Sequence, residues 1–213
     1  HGNVCFRYTK QDGTIRHAFL APSQPYWLKY TEEELLQKRV SIYAPAMGTS
    51  LHELAETLIR NNLKLKKGDR LTVLSHVLGD GIPRDVIDMD RIYENFLNYV
   101  NDAIGFKLTP EQPLYYSNHC FGTADAISFR NNFLRIHDYK SGTQPAKMEQ
   151  LIVYAALFCL EYKVKPGEID KELRIYQNNE ILYHKPTTEE LLKTMDEIVR
   201  KSEFLDKVSE GVY

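Results

Sequence analysis

The sequence predicts an α/β fold, a mixed central β-sheet flanked by helices, and three observations carry that prediction. Three strand-like runs at 113–117, 121–130 and 133–140 follow one another across short turns. A helical stretch follows them whose residues 151–160 are apolar nearly all round, so it should lie buried against a sheet. A further strand, 172–177, comes after it. With a long helix ahead of the block, the order is helix, three strands, helix, strand, which makes a mixed sheet sandwiched by helices.

Taken in order, 4–8 and 16–20 flank Gln11-Asp12-Gly13-Thr14 and read as a hairpin. Ser23 is placed to cap a short helix that turns Trp27 and Leu28 inward. Thr31 and Glu34 form a capping box for a helix over 32–39. Residues 44–61 read as a long helix with Leu51, Leu54, Ala55, Leu58 and Ile59 on its buried stripe. The stretch 62–70 is basic, with Lys64, Lys66, Lys67 and Arg70, and reads as a solvated loop with phosphate contact as the alternative. Pro83 opens a helix running to about residue 104. After the three strands, Pro145 sits at the N-terminus of a helix ending near residue 162. The strand 172–177 pairs with 181–184 across Asn178-Asn179. Thr187 and Glu190 cap a last helix to about residue 207. The organisation expected is one domain over 1–213: N-terminal elements 1–43 covering the core, a core 44–177 with a helical insertion 62–110, and a C-terminal strand and helix at 178–213.

Composition narrows the class. The 213 residues are 43% hydrophobic and 26% charged, with a formal net charge of −2, so no global basic field advertises nucleic acid. Cys5, Cys120 and Cys159 are odd in number and contain no CxxC, which indicates neither a zinc site nor a disulfide framework. A reducing, cytoplasmic setting is expected. No apolar run is long enough for a membrane span, and no signal peptide is expected although the chain begins at His1.

The chemistry gathers at Asp138-Tyr139-Lys140. Strand alternation puts Leu134, Ile136, Asp138 and Lys140 on one face, so a carboxylate and an ammonium follow two core residues at the strand's end. Asp125, in the preceding strand, can come beside Asp138 across the hairpin turn Asn131-Asn132. Two carboxylates and a lysine at a strand end suit a divalent cation and a phosphate. His52 and Glu56 lie one helical turn apart. The plainer alternatives are a structural Asp138–Lys140 ion pair, a turn role for Asp125 and a core Tyr154 satisfied by Gln150. His137 points to the opposite face and reads as structural. Tyr26 and Tyr30 are candidates to stack on single strands.

Four motifs stand in sequence: Gly48-Thr49-x-x-His52-x-x-x-Glu56, Gly122-Thr123-Ala124-Asp125, Asp138-Tyr139-Lys140-Ser141-Gly142 and Gln150-x-x-x-Tyr154. On these the chain resembles the PD-(D/E)XK nuclease superfamily, and within it the RecB-like exonuclease branch with its phage recombination exonucleases. The resemblance implies a restriction-endonuclease-like αβββαβ core with helical additions. It implies Mg²⁺ or Mn²⁺ held by His52, Asp125, Asp138 and the backbone carbonyl of Tyr139. Lys140 would orient the attacking water, Gln150 and Tyr154 would position DNA or the lysine, and Glu56 and, more weakly, Glu111 would support the ligands. Lys64, Lys66, Lys67 and Arg70 are the DNA-binding candidates. Some branch members hold an iron–sulfur cluster on four cysteines; three are present here, so no cluster is expected. The implied activity is exonucleolytic hydrolysis of DNA in recombination, repair or phage replication, with DNA and a single-strand annealing or recombination protein as partners and no membrane. An endonuclease or nickase on the same core and a non-catalytic DNA-binding module are the alternatives.

Overall fold

The computed structural model describes residues 8–9, 15–16 and 19–211. The chain divides into two compact units, His1–Pro45 and Ala46–Tyr213. In the first, β1 (Tyr8–Thr9) pairs antiparallel with β2 (Ile15–Arg16); residues 4–7, 10–14 and 17–18 of the expected hairpin lie outside the described residues, and 19–20, expected as strand, form a turn. A 3-10 turn, Pro25–Lys29, follows. Ser23 does not cap it: Gln24 holds that position without a side-chain bond, and Leu28 is exposed. Trp27 instead donates its indole N–H to the Ala21 carbonyl at 3.0 Å.

The two helices expected at 32–39 and 44–61 are one, α1 (Glu32–Arg60). It begins with the expected capping box, Glu34 N–H on Thr31 Oγ1 at 3.2 Å and Thr31 N–H on Glu34 Oε2 at 2.7 Å. Residues 40–44 contain no glycine to end a helix, and Ser41 returns its hydroxyl to the Lys38 carbonyl inside it. Pro45 lies within the helix; it removes one donor without terminating the chain's course.

In the second unit, the C-terminal half of α1 buries Met47, Leu51, Ala55 and Ile59. A helix that the basic character of 62–70 conceals, α2 (Arg70–Gly79), buries Val73 and Val77 one turn apart. Next, α3 (Met89–Gly105) starts six residues after Pro83 because a 3-10 turn, Arg84–Val86, intervenes and Asp88 supplies the cap, accepting from Arg91 N–H at 3.2 Å. The sheet runs through β3 (Thr109–Ser117), β4 (Cys120–Arg130) and β5 (Phe133–Tyr139), then after α4 (Glu149–Tyr162) through β6 (Asp170–Gln177) and β7 (Glu180–His184); α5 (Thr188–Ser209) closes the order. The strand order is β3-β4-β5-β6-β7, and β5–β6 is the parallel pair. This is the mixed sheet flanked by helices that the sequence predicts. Asn131-Asn132 and Asn178-Asn179 all take positive φ, between 52° and 59°, as two-residue hairpin turns require.

Pro145 does not start α4. Gln177 accepts from Ala146 N–H and donates to the carbonyls of Gly142 and Gln144, each at 2.8 Å, and these bonds hold the connection out of the helix until Glu149. One side of the sheet carries Ile127, Leu134, Ile136 and Ile175 against Leu151, Ala155 and Phe158 of α4. On the other, α3 brings Phe96 and Tyr99 against the ring of Tyr139, centroids 5.4 and 5.8 Å away. His137 is structural, as expected: it is fully buried, 3.2 Å from the Tyr176 hydroxyl, which donates to Asp102 of α3 at 2.7 Å. No helix among the described residues is long and apolar enough to cross a membrane.

Tyr139 fills the space between β5 and α3, yet its buried hydroxyl has no hydrogen-bond partner among the described residues. An unsatisfied buried hydroxyl costs about 1–3 kcal/mol. Tyr139→Phe should therefore be neutral or stabilising, whereas Tyr139→Ala should lose about 3–5 kcal/mol through the cavity it opens. Urea titration of the two variants checks this; a loss in Tyr139→Phe comparable to that in Tyr139→Ala would show that the hydroxyl is bonded.

Candidate metal centre

The site forms where β4 changes the phase of its side-chain alternation. Gly122 faces α4: a Cβ there would meet the Tyr154 ring at 3.1 Å and its hydroxyl at 3.4 Å. Phe129 also faces α4, its ring 5.1 Å from that of Phe158. The two positions are seven apart, an odd spacing, so the regular two-residue period breaks between them. The partner strand locates the break. Pro110 pairs with Ala126 and Gln112 with Ala124, and between them Glu111 adopts φ 50° opposite Asp125. A non-glycine residue in that conformation inside a strand is strained, of order 1–3 kcal/mol.

This break brings three ligand-type side chains together. His52 Nδ1, on α1, lies 3.5 Å from Asp125 Oδ2 and 3.9 Å from Glu111 Oε1. His52, Glu111 and Asp125 can each present one ligand atom with all three atoms within 4.8 Å of one another. Asp125 also accepts from the Tyr139 N–H at 3.1 Å, which ties it to the end of β5. There Asp138 is 1% exposed and bonds the Lys140 ammonium through Oδ1 at 3.0 Å, while its Oδ2 has no hydrogen-bond partner among the described residues.

The electrostatics are those of a site short of positive charge. Burial, and then the neighbouring Asp125, push the Asp138 carboxyl up to about 7. Burial pushes Asp125 up to about 6 against the pull of the Tyr139 N–H and Lys140. Burial also raises Glu111. Burial lowers His52, with Asp138 and Glu111 pulling it back up, so a neutral imidazole is available as a ligand. Burial pulls Lys140 down, but Asp138, Asp125 and Tyr154 together lift it above the ordinary lysine value. A divalent cation fits this donor set of imidazole nitrogen and carboxylate oxygens, and the partnerless buried Oδ2 of Asp138 points to the same need.

The sequence-predicted residues divide accordingly. His52, Asp125, Asp138 and Lys140 lie near one another around the Tyr139 backbone, but Asp138, expected as a ligand, pairs with Lys140 and stands outside the group of three that can share an ion. Glu111, placed behind the ligands by sequence, stands in the ligand group itself. Glu56 bonds Arg60 at 2.8 Å, one turn along α1, and lies near enough to Glu111 to push its carboxyl up. Gln150 and Tyr154 approach each other at 3.5 Å on α4. Gln150 lines a cleft of ≈ 320 Å³ with Lys140, Lys147, Gln144 and Gln177, and Tyr154 lies close to Lys140 and Gly122. Lys147 is a cleft residue that the sequence offered no motif for. Of the basic stretch, Lys64, Lys66 and Lys67 are exposed, whereas Arg70 pairs with Asp90 at 2.6 Å.

A family model described as "Protein of unknown function (DUF2800)" matches residues 17–202. No curated protein and no solved structure matches the chain.

The raised carboxyls set a pH dependence. Asp138 keeps its proton up to about 7 in the folded chain and loses it near 3.8 when unfolded. The unfolded state therefore binds fewer protons between those values, and stability falls as pH rises through that window. In chelator, Asp138→Asn should melt above the parent at pH 8, with the difference shrinking toward pH 4. Differential scanning fluorimetry across pH reads this, and a difference that is flat or grows toward acid contradicts the assignment.

The strain at Glu111 gives a separate test. Glu111→Gly removes both the φ penalty and a carboxylate. It should raise the metal-free melting temperature while weakening Mn²⁺ binding measured by calorimetry. A stability loss, or unchanged Mn²⁺ affinity, would remove Glu111 from the ligand group.

Proposed function

The chain belongs to the DUF2800 family, whose function is unknown, and from its site we propose that it is a divalent-metal-dependent nuclease that hydrolyses phosphodiester bonds in DNA. The observation that carries the proposal is the convergence of His52, Glu111 and Asp125 beside the Asp138–Lys140 pair, at the end of a mixed sheet. The arrangement agrees with the PD-(D/E)XK resemblance in its motifs and in their order along the elements.

On this proposal His52, Asp125 and Glu111 hold the ion, with Asp138 and the Tyr139 carbonyl adjacent. The imidazole in the set favours Mn²⁺ beside Mg²⁺, because Mg²⁺ selects oxygen ligands. Such an ion supplies a bound water of lowered pKa and offsets charge on the scissile phosphate. Lys140 does the rest of the electrostatic work. Its ammonium is held by Asp138 Oδ1 at the rim of the cleft, where it faces incoming phosphate oxygens and counters charge that grows in the transition state. Asp138, in turn, keeps the lysine charged and fixed. Lys147 and Gln150, which share the cleft, are placed to bind the neighbouring phosphate. Arg91 donates to the Ser141 carbonyl at 2.7 Å and, with Gln177, keeps the cleft wall from collapsing onto the site.

The substrate proposed is linear DNA, degraded from an end. Incubation of linear and closed-circular DNA with Mn²⁺ or Mg²⁺, with products resolved over time, tests both levels. Cleavage should require the metal and stop with EDTA. Asp125→Ala, Asp138→Ala and Lys140→Ala should each lower the rate by at least about a hundredfold, the scale of losing one preorganised electrostatic group. Full activity in EDTA or in Asp125→Ala would overturn the nuclease, and equal cleavage of closed circles would replace the exonuclease with an endonuclease.

A further inference from the structure

Two aromatic rings stand in the open on the sheet side that carries the candidate metal centre. Tyr115 of β3 and Phe121 of β4 pair across the hairpin, their ring centroids 6.3 Å apart and their planes 25° from parallel. They are 49% and 67% exposed. Their neighbours fix which way they point. Leu114 belongs to the core beneath α4, and Gly122 faces Tyr154 of α4. Alternation turns Tyr115 and Phe121 to the opposite side, where His52 meets Asp125. The next pair inward, Pro113 and Thr123, is also exposed, and beyond it come Glu111 and Asp125. An open strip thus leads from the rings to the ligand group, roughly 13 Å for the four residues from Phe121 to Asp125 at strand rise.

A cross-strand aromatic pair stabilises a hairpin, but that role does not call for so much ring left in water. The surroundings are polar, with Asn118 accepting from the Tyr115 hydroxyl at 2.9 Å and Thr123 alongside. Two rings are also far smaller than the roughly 800 Å² per partner of a stable protein interface. A flat, exposed π-surface a short way along an open strip from a phosphate-handling centre matches one chemistry in particular, an unpaired nucleobase.

We propose that Tyr115 and Phe121 form a base-stacking platform that holds a single-stranded stretch of nucleic acid while its phosphodiester lies at the His52–Glu111–Asp125 group. This rests on the nuclease proposal above and narrows its substrate. Bases in an intact duplex are stacked within the helix and offer the platform no face, so the chain engages single strands or frayed ends. Stacking is indifferent to base identity, so the platform selects strandedness and not sequence.

The chain has one tryptophan, Trp27, which allows a direct reporter. In a Trp27→Phe background, Phe121→Trp places the sole indole on the platform. With EDTA present to prevent cleavage, oligothymidylate should quench it saturably, and a blunt duplex of the same length should not. In parallel, Tyr115→Leu and Phe121→Leu keep apolar bulk but remove the π-face. With Mn²⁺ and a single-stranded oligonucleotide, KM should rise roughly tenfold for each ring removed, the scale of one lost base stack. The effect should fall on KM more than on kcat, and Phe121→Trp should restore it. An unquenched indole together with unchanged KM in both leucine variants overturns the platform even if the enzyme cleaves DNA normally. Equal quenching by duplex overturns the single-strand selectivity. Quenching by oligothymidylate in a chain that cleaves no nucleic acid would instead keep the platform and remove the nuclease.

Discussion

Two carboxylates forced together out of water are the constraint on which the rest of the second unit depends. Asp125 and Asp138 come from adjacent antiparallel strands; burial raises the energy of both charges, and Asp125 raises that of Asp138 further. Hydrogen bonds and a cation around them reduce that energy, against the neighbouring Glu111, which adds to it. The Tyr139 N–H is spent on Asp125 and the Lys140 ammonium on Asp138, while the His52 ring stands beside Asp125. Packing that carries no charge then fixes these groups. The Tyr139 ring is clamped by Phe96 and Tyr99, which sets the backbone that reaches Asp125. A missing Cβ at Gly122 lets Tyr154 approach the strand beside Lys140. The sheet core is thus a frame that keeps an electrostatically unfavourable cluster from relaxing apart. Such stored cost is common where a protein must bind a cation or perform chemistry.

Much of this frame was legible in the sequence because it rests on period. The alternation of 133–140 separates His137 and Tyr139 from Asp138 and Lys140, and the structure puts them on the faces so assigned. The paired asparagines at 131–132 and 178–179 announce two-residue turns through the φ they tolerate. Both capping boxes form. What was not legible broke a period or depended on distant partners. Glu111 joins the ligand group only because its backbone leaves the strand conformation, and no residue pattern marks that departure; an acidic residue offers no glycine-like signal of positive φ. Glu56 stands at helical spacing from both His52 and Arg60, and spacing alone does not decide between them; the Arg60 guanidinium, which also reaches the Pro110 carbonyl, takes it. The helix α2 begins at the end of a basic run that reads as solvent-facing, and its buried stripe of Val73 and Val77 is too short to stand out. The start of α4 lies later than Pro145 suggests because the bonds that keep 142–146 out of the helix come from Gln177, more than thirty residues away.

Charge also governs how a polyanion could approach such a site. The chain carries a formal net charge of −2, and Glu111 and Asp125, with Asp138 beside them, gather carboxyls that become negative where a phosphate would have to sit as they lose their protons. Arg70, Arg60 and Arg174 are occupied by Asp90, Glu56 and Glu172. Lys140 and Lys147 line the cleft beside the cluster, with Arg91 bonded to the Ser141 carbonyl behind it, and Lys140 is itself paired with Asp138. Without a cation the local field repels a phosphodiester; with a divalent ion its sign is reduced or reversed at that point. On the proposed function, metal binding therefore precedes productive phosphate binding, and substrate affinity is coupled to metal affinity by linkage. An uncharged contact such as ring stacking is then the interaction best suited to hold a strand near the site, because it neither depends on the cation nor competes with the carboxylates for it.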